Sequence, residues 1–369
     1  MQVNSIRAAL LFFLATIALG CAADENDAAA ADFRPSLLKD EWYSEGWDQI
    51  FYFEDGTLLV SQITILNIGF GSHHAGVFTM LVAPGGSKTI IKQSRSNRDW
   101  EFSESSLDLE IAKHRLRGQP PVYRVLIRQK SDEVDVTFKS IAAAWPLGRT
   151  LEIEEAHQYV SFYAPLAEAE GRYKLGAGDE SEGSEWNKLQ GGRGFAVRYV
   201  NSIGLHDLIR SSTRIVDLEQ SALSPVIYTS VDIEGGVQVH LALFQDGQLL
   251  HESGNFDLQT RGRIETADKD TRNIPDEFAV NIEEDEFTLT GTVEIEKFLA
   301  RVDPVDSLKP FVRTIVKLLN TPIQYRYLAK YDLDYTQGGQ KSRLQGRALM
   351  DHMVLRYERK RSNRTNNTR

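Results

Sequence analysis

Short runs of alternating apolar and polar residues, each closed by a turn signal, recur along most of this 369-residue chain and constrain its fold more than any other feature. A period of two puts successive side chains on opposite faces of a strand, so such runs read as half-buried β-structure. In the first half they fall at 57–68, 77–82, 89–93, 107–111, 123–129 and 134–141. Glu54-Asp55-Gly56, Pro84-Gly85-Gly86 and Gly118-Gln119-Pro120-Pro121 supply turns between them. The second half repeats the style at 195–202, 213–218, 226–233, 237–244, 278–282, 287–298 and 325–335. Helical periodicity is nearly absent, which argues for an all-β sandwich or barrel over a βαβ fold. The exception is 307–320, where Leu308, Phe311, Val312, Ile315, Val316 and Leu319 fall at helical spacing between a capping Ser307 and Pro322. This predicts one short helix in the C-terminal half, packed over a barrel mouth or touching a membrane with its basic face.

Length makes two domains the natural reading. Near the middle, the aromatic run Val160-Ser161-Phe162-Tyr163-Ala164 stops at Pro165. An acidic spacer follows, and Gly191-Gly192-Arg193-Gly194-Phe195 opens a new strand. The seam is therefore expected at Pro165, with an N-terminal lobe over 37–164 and a C-terminal lobe over 165–357. A weak internal echo suggests duplication: Val136-Thr137-Phe138 leads to Ile141 and Pro146, and Val293-Glu294-Ile295 leads to Phe298 and Pro304. Residues 358–369 read as a polar, basic tail.

Cysteine usage bears on location. Arg7 precedes an apolar run at 8–19 that has signal-peptide length and is too short to span a bilayer. Ala18-Leu19-Gly20 then leads to Cys21, the one cysteine of the chain, a pattern resembling a bacterial lipobox. The expectation is a signal peptide over 1–20, lipidation of Cys21 and a flexible tether over 21–36. With Ala22 next to the cysteine, the protein would be an exported lipoprotein at the periplasmic face of the outer membrane, reaching the membrane surface through its acyl anchor. The alternative is an ordinary signal peptide, cut downstream, and a secreted or soluble periplasmic protein.

The net charge of −10 argues against nucleic acid as a partner. No Gly-x-Ser-x-Gly elbow is present, and the lone cysteine sits at the lipidation position, so nucleophilic catalysis has no visible carrier. His73-His74 are adjacent and would point to opposite faces of a strand, so no metal site is expected. No cofactor is implied, because Gly191-Gly192-Arg193-Gly194 opens a strand rather than a phosphate-cradling helix. The strongest binding candidate is the alternation Tyr325, Tyr327, Tyr331, Tyr335, which shares one strand face with Ala329 and Leu333. Facing inward, these rings would either line a pocket for a long apolar ligand or fill a solid core. Gln62, Asn67 and Arg198 are polar groups that would orient such a ligand or satisfy backbone at a bulge.

Several stretches carry a family resemblance: Phe51-Tyr52-Phe53-Glu54-Asp55-Gly56 leading to Gln62 and Asn67; Trp100-Glu101-Phe102-Ser103-Glu104; Tyr163-Ala164-Pro165-Leu166-Ala167; Gly192-Arg193-Gly194-Phe195; and Leu344-Gln345-Gly346-Arg347-Ala348-Leu349-Met350. Together they resemble the paired lipocalin-like superfamily of survival-factor-type, AttH-like and carotenoid 1,2-hydratase proteins. The resemblance implies two antiparallel lipocalin-like β-barrel lobes side by side and a lipophilic ligand, such as an isoprenoid, carotenoid, sphingolipid or fatty-acyl lipid. It also adds Trp100 and Tyr199 to the binding candidates. The hydratase-like and AttH-like branches place an acidic, a basic and an aromatic residue after the Gly-aromatic turn. Arg198 and Tyr199 suit the last two, while Val197 stands where the acid is expected. Alkene hydration needs a proton donor, and Arg cannot supply one. The leading expectation is therefore a ligand-binding or carrier protein with no catalytic residues assigned. The alternatives are an isoprenoid-transforming hydratase or cyclase with its acid elsewhere, and a structural envelope protein with solid lobes.

Overall fold

The computed structural model describes residues 34–67, 72–96, 99–153, 156–176, 185–220, 222–254, 256–262, 274–303 and 322–355. The expected leader and Cys21, the helix expected at 307–320 and the basic tail lie outside them.

The described chain is all-β, as the alternation requires. The first sheet begins with β1 (Ser44–Tyr52), β2 (Leu58–Leu66), β3 (His74–Val82) and β4 (Lys88–Arg95). It continues through β5 (Trp100–Phe102), β6 (Leu107–Ile111), β7 (His114–Gln119), β8 (Val122–Gln129) and β9 (Asp132–Ser140). It ends with β10 (Trp145–Ile153), β11 (Ala156–Lys174) and β12 (Asn187–Asn201). A short helix, α1 (Leu205–Leu208), then leads to the second sheet. That sheet opens with β13 (Ile209–Asp217), β14 (Ser224–Asp232), β15 (Val237–Gln245) and β16 (Gln248–Ser253). It closes with β17 (Asp257–Arg261), β18 (Glu277–Glu283), β19 (Phe287–Val302), β20 (Pro322–Gln337) and β21 (Gln340–Leu355).

The two sheets follow one path. The first runs β4-β3-β2-β1-β12-β11-β9-β8-β7-β6-β5, with β10 paired to β11, and the second runs β16-β15-β14-β13-β21-β20-β19-β18-β17. In each, the strand that opens the lobe pairs with the strand that ends it, and a meander extends on both sides. The echo seen in sequence falls on β9 and β19, which hold corresponding places in the two orders.

The first sheet curls into a nearly closed barrel around a core that includes Trp47, Phe51, Tyr123, Phe138 and Tyr163. Side chains bridge its open seam: His114 Nε2 meets the Gln93 amide at 2.9 Å, and Gln129 Nε2 donates to the Lys92 carbonyl at 2.8 Å. The second sheet encloses its own core, which contains Ile227, Leu241, Phe278, Leu333 and the four tyrosines of β20. A third cluster joins the lobes, with Ile50, Trp145, Phe162 and Phe195 packed against Val216, Tyr228, Phe244 and Leu349. Each large side chain buried there contributes about 1.5–3 kcal/mol of apolar transfer energy. Hydrogen bonds also cross this contact, among them Trp145 Nε1 to Glu252 Oε1 at 3.0 Å and Tyr228 Oη to Gln158 Oε1 at 3.0 Å.

The expected seam at Pro165 is corrected. Pro165 lies inside β11, a strand of 19 residues whose register against β12 shifts between Ser161 and Ala164 and again between Ala164 and Ala167. Proline has no N–H for the ladder and is tolerated at bulges. The strand therefore bends here instead of stopping, pairing β10 before the bend and β9 after it. The chain changes sheets between Asn201 and Ile209, so the first lobe takes in β12 and the boundary moves some forty residues on. Gly194 belongs to this strand packing, because a Cβ there would sit 1.9 Å from the Ile50 carbonyl oxygen.

Two buried histidines make the fold acid-sensitive. Burial holds both His114 and His352 at a pKa of about 4, below their ordinary 6.5. Between those values the unfolded chain binds more protons than the folded one, so stability is present above about pH 6.5 and is lost as pH falls toward 4. Denaturant midpoints measured from pH 7 to pH 4 are expected to fall, and His352→Gln, which retains a partner for Thr213, is expected to flatten that fall.

Candidate ligand-binding site

On β1 and the residue before it, period two puts Tyr43, Glu45, Trp47, Gln49 and Phe51 on the face that looks into the first lobe. All five are fully buried. A buried carboxylate needs a charged or hydrogen-bonding partner. Glu45 finds one in Arg198, which stands across the ladder on β12 opposite Trp47. Arg198 Nε donates to Glu45 Oε1 at 2.7 Å, and its guanidinium lies 5.8 Å from the centre of the Trp47 ring. The acid missing at position 197 thus arrives from another strand. Sequence reasoning passed over Glu45, although an acid in alternation with the aromatics Tyr43, Trp47 and Phe51 was the available signal.

The same pair anchors the chain before β1. Arg198 Nη2 donates to the Arg34 carbonyl at 2.8 Å and to Ser36 Oγ at 2.9 Å. Glu45 Oε2 accepts from the Ser36 N–H at 2.7 Å and from the Tyr43 hydroxyl. Burial, then the neighbouring Glu45, pushes the Tyr43 hydroxyl far above its ordinary pKa, so it remains a donor. Asn67 Nδ2 donates to the carbonyls of Leu38 at 3.0 Å and Asp40 at 2.7 Å. Its Oδ1 accepts from the His73 N–H at 2.7 Å, and His73 Nε2 meets the Leu38 carbonyl at 3.1 Å. Trp100 Nε1 donates to the His73 carbonyl at 2.8 Å. Residues 34–40 therefore form a strap across the mouth of the first lobe.

Beside the strap opens a cleft of ≈ 380 Å³. Leu38, Pro146, Val160 and Val200 give it apolar walls, and Ser36, His157, Tyr159, Ser161 and Arg198 give it polar points. Among the described residues that line it, Arg198 is the one with a permanent charge. With the guanidinium fixed by Glu45, Ser36 and the Arg34 carbonyl, the cleft presents a pre-positioned donor next to apolar surface. That arrangement suits a molecule with a hydrogen-bond-accepting head and an apolar body.

The remaining candidates fall elsewhere. Asn67, Trp100 and Arg198 converge on the strap. Gln62 and Tyr199 face the contact between lobes. Gln62 Nε2 donates to Asp48 Oδ1 at 3.2 Å, and the Tyr199 ring lies so close to Gly46 that a Cβ there would be 2.4 Å from it. Asp48 belongs to a buried cluster of charges from both lobes. Arg214 Nη1 is 2.9 Å from Asp48 Oδ2 and 3.2 Å from Asp351 Oδ2, and Arg326 Nε is 3.2 Å from Asp351 Oδ1. Burial raises the Asp48 pKa, with Arg214 opposing it. Tyr325, Tyr327, Tyr331 and Tyr335 are buried in the second lobe's core. There Tyr331 Oη donates to Asp217 Oδ1 at 3.0 Å and Tyr335 Oη meets His251 Nε2 at 2.9 Å. Among the described residues no group of three or more His, Cys, Asp or Glu is placed to hold a metal ion.

The chain shares its fold with solved structures of low sequence identity. The chain is similar in structure to CghA, solved with Sch210972, at a TM-score of 0.55 and 10% identity, over 85% of this chain and 89% of that one. It is also similar to an AttH protein from Nitrosomonas europaea, at 0.55 and 10%, over 87% and 94%. A third relative in structure is kievitone hydratase from Nectria haematococca, at 0.53 and 10%, over 88% and 92%. No protein-family model and no curated protein sequence matches the chain.

The Arg198–Glu45 pair yields an asymmetric prediction. Glu45 is fully buried, while the Arg198 side chain keeps 13% exposure. Arg198→Leu leaves a carboxylate stranded in the core and is expected to cost about 3–5 kcal/mol. Glu45→Gln leaves a cation that can turn toward water and is expected to cost less. Chemical denaturation of both variants at pH 7 measures the difference, and equal losses would contradict the assigned geometry.

Proposed function

We propose that this protein binds or carries a lipophilic small molecule in its first lobe, with the molecule's polar end received by Arg198 at the mouth. The candidate classes are isoprenoid, carotenoid, sphingolipid and fatty-acyl lipid. The observation that carries this reading is the cleft itself: apolar walls, a single guanidinium, and a buried carboxylate that fixes the guanidinium from behind. Pre-positioning a donor in this way removes part of the ordering cost of binding. The lipocalin-like fold agrees with such a role.

A second reading, an isoprenoid-transforming enzyme of hydratase or cyclase type, is favoured by the presence of a buried carboxylate beside Arg198. Glu45 already accepts from Arg198, Tyr43 and Ser36. Both of its oxygens are therefore engaged in holding the guanidinium and the strap, so binding is the reading put forward. We further propose that the protein is exported and attached to the envelope through Cys21. Residues 22–33 span at most about 40 Å when extended. The pinned strap would then keep the lobe's mouth within that distance of the membrane.

Uptake of a fluorescent fatty-acyl or isoprenoid probe by the purified protein tests the reading. Wild type is expected to bind, and Arg198→Ala to bind at least tenfold more weakly. A wild-type protein that takes up neither probe class, and extracts without bound lipid, would overturn it. Membrane partition of Cys21→Ala tests the anchor separately.

A further inference from the structure

Every nitrogen of a guanidinium is a donor. On Arg198, Nε is committed to Glu45 Oε1, and Nη2 to the Arg34 carbonyl and Ser36 Oγ. Nη1 has no acceptor among the described residues and, unlike the unpartnered atoms of the core, it is not sealed from the surface. It is the donor that Arg198 has left for the cleft it lines. Ser36 lines the same cleft, and because its hydroxyl oxygen accepts from Nη2, its own proton is left to donate. This end of the cleft therefore offers protons to a guest and asks for an acceptor.

The charge of the guanidinium, by contrast, is already answered. Its Nη2 lies 2.6 Å from the fully buried Glu45 carboxylate. The cation at the rim is answered as well: Arg149 Nε donates to the hydroxyl of Tyr159, a lining residue, at 2.8 Å, and its Nη1 to Glu152 Oε1 at 2.9 Å. Apolar walls surround these groups, so a head that enters gives up water. An ionised head gives up the most, and Glu45, behind the guanidinium, repels it. A neutral oxygen gives up less and still accepts from Nη1 and the Ser36 hydroxyl. We propose that the cleft selects lipophilic guests whose head is an uncharged acceptor, such as an alcohol, an ester or an amide, against ionised carboxylates and phosphates. Glu45 sets that choice as a positioning residue, acting through Arg198. This rests on the reading of the first lobe as a container and narrows it: within the fatty-acyl class it keeps esters and amides and sets aside free fatty acids.

Decanamide and decanoic acid share a chain and differ in one heavy atom of the head, so the pair isolates the charge. Near pH 8 a free carboxylic acid is ionised and a free imidazole is neutral. Under those conditions purified wild type is expected to bind decanamide about tenfold more tightly than decanoate. Glu45→Gln keeps an acceptor for Arg198 and removes the opposing charge. It is expected to raise decanoate binding until the acid equals or exceeds the amide. A merely structural role for Glu45 would weaken both probes together and leave their ratio alone. Should Glu45→Gln fail to fold, the wild-type pair decides by itself. Wild type that binds decanoate as tightly as decanamide would overturn the selection and leave the container reading standing. A preference unchanged in folded Glu45→Gln would overturn it as well. Failure of wild type to bind either probe would overturn the selection, and the container reading with it if the fluorescent probes also fail.

Discussion

Strand β1 has no face toward solvent, and most of what is particular to this protein follows from that constraint. An antiparallel strand commonly packs one face and hydrates the other. Here the inward face looks into the first lobe, and the outward face is covered by the second. Every residue from Glu45 to Phe51 is buried. Any polar group the strand carries must therefore be matched inside the protein, and those it carries include Glu45, Asp48 and Gln49. Alternation sends Glu45 and Gln49 into the lobe and Asp48 into the joint. Glu45 is matched by Arg198 and the strap, and Asp48 by Arg214. Gln49 is matched on one side of its amide only.

The joint between lobes shows a different use of buried charge. Asp48 and Arg214 lie on β1 and β13, which hold the same place in the two sheet orders and meet across the contact. Two aspartates and two arginines balance there, in an otherwise apolar cluster. Desolvation of ions is costly, so such a cluster adds little net stability over a well-packed apolar one. Its effect is selective, since a shifted docking of the lobes would leave charges unpaired in the core. The joint thus gains its stability from Ile50, Phe162, Phe195, Tyr228 and Leu349 and its alignment from the charges.

Much of the fold was legible from period-two alternation and turn residues, because these are local consequences of strand geometry. The echo between 136–146 and 293–304 pointed to corresponding strands in two lobes. The boundary between the lobes was not legible. Pro165 and the glycines that follow look like an ending in sequence. Whether a proline ends a strand or bends it depends on the strands beside it. With β10 on one side of the bend and β9 on the other, β11 continues. Asn67 and Trp100 were picked out as polar or aromatic candidates, and in the structure both serve to pin the strap.

By itself the sequence determined an all-β chain of two halves, and a strand face that gathers the four tyrosines of β20. It also marked Arg198 as one of the few polar groups that could orient a ligand. Tertiary structure alone decided which acid Arg198 meets. Glu45 lies 153 residues away along the chain and becomes its neighbour only because β1 and β12 pair in the sheet. Strand alternation is encoded within a few residues, whereas a buried ion pair needs two strands that only the closing of the lobe brings together.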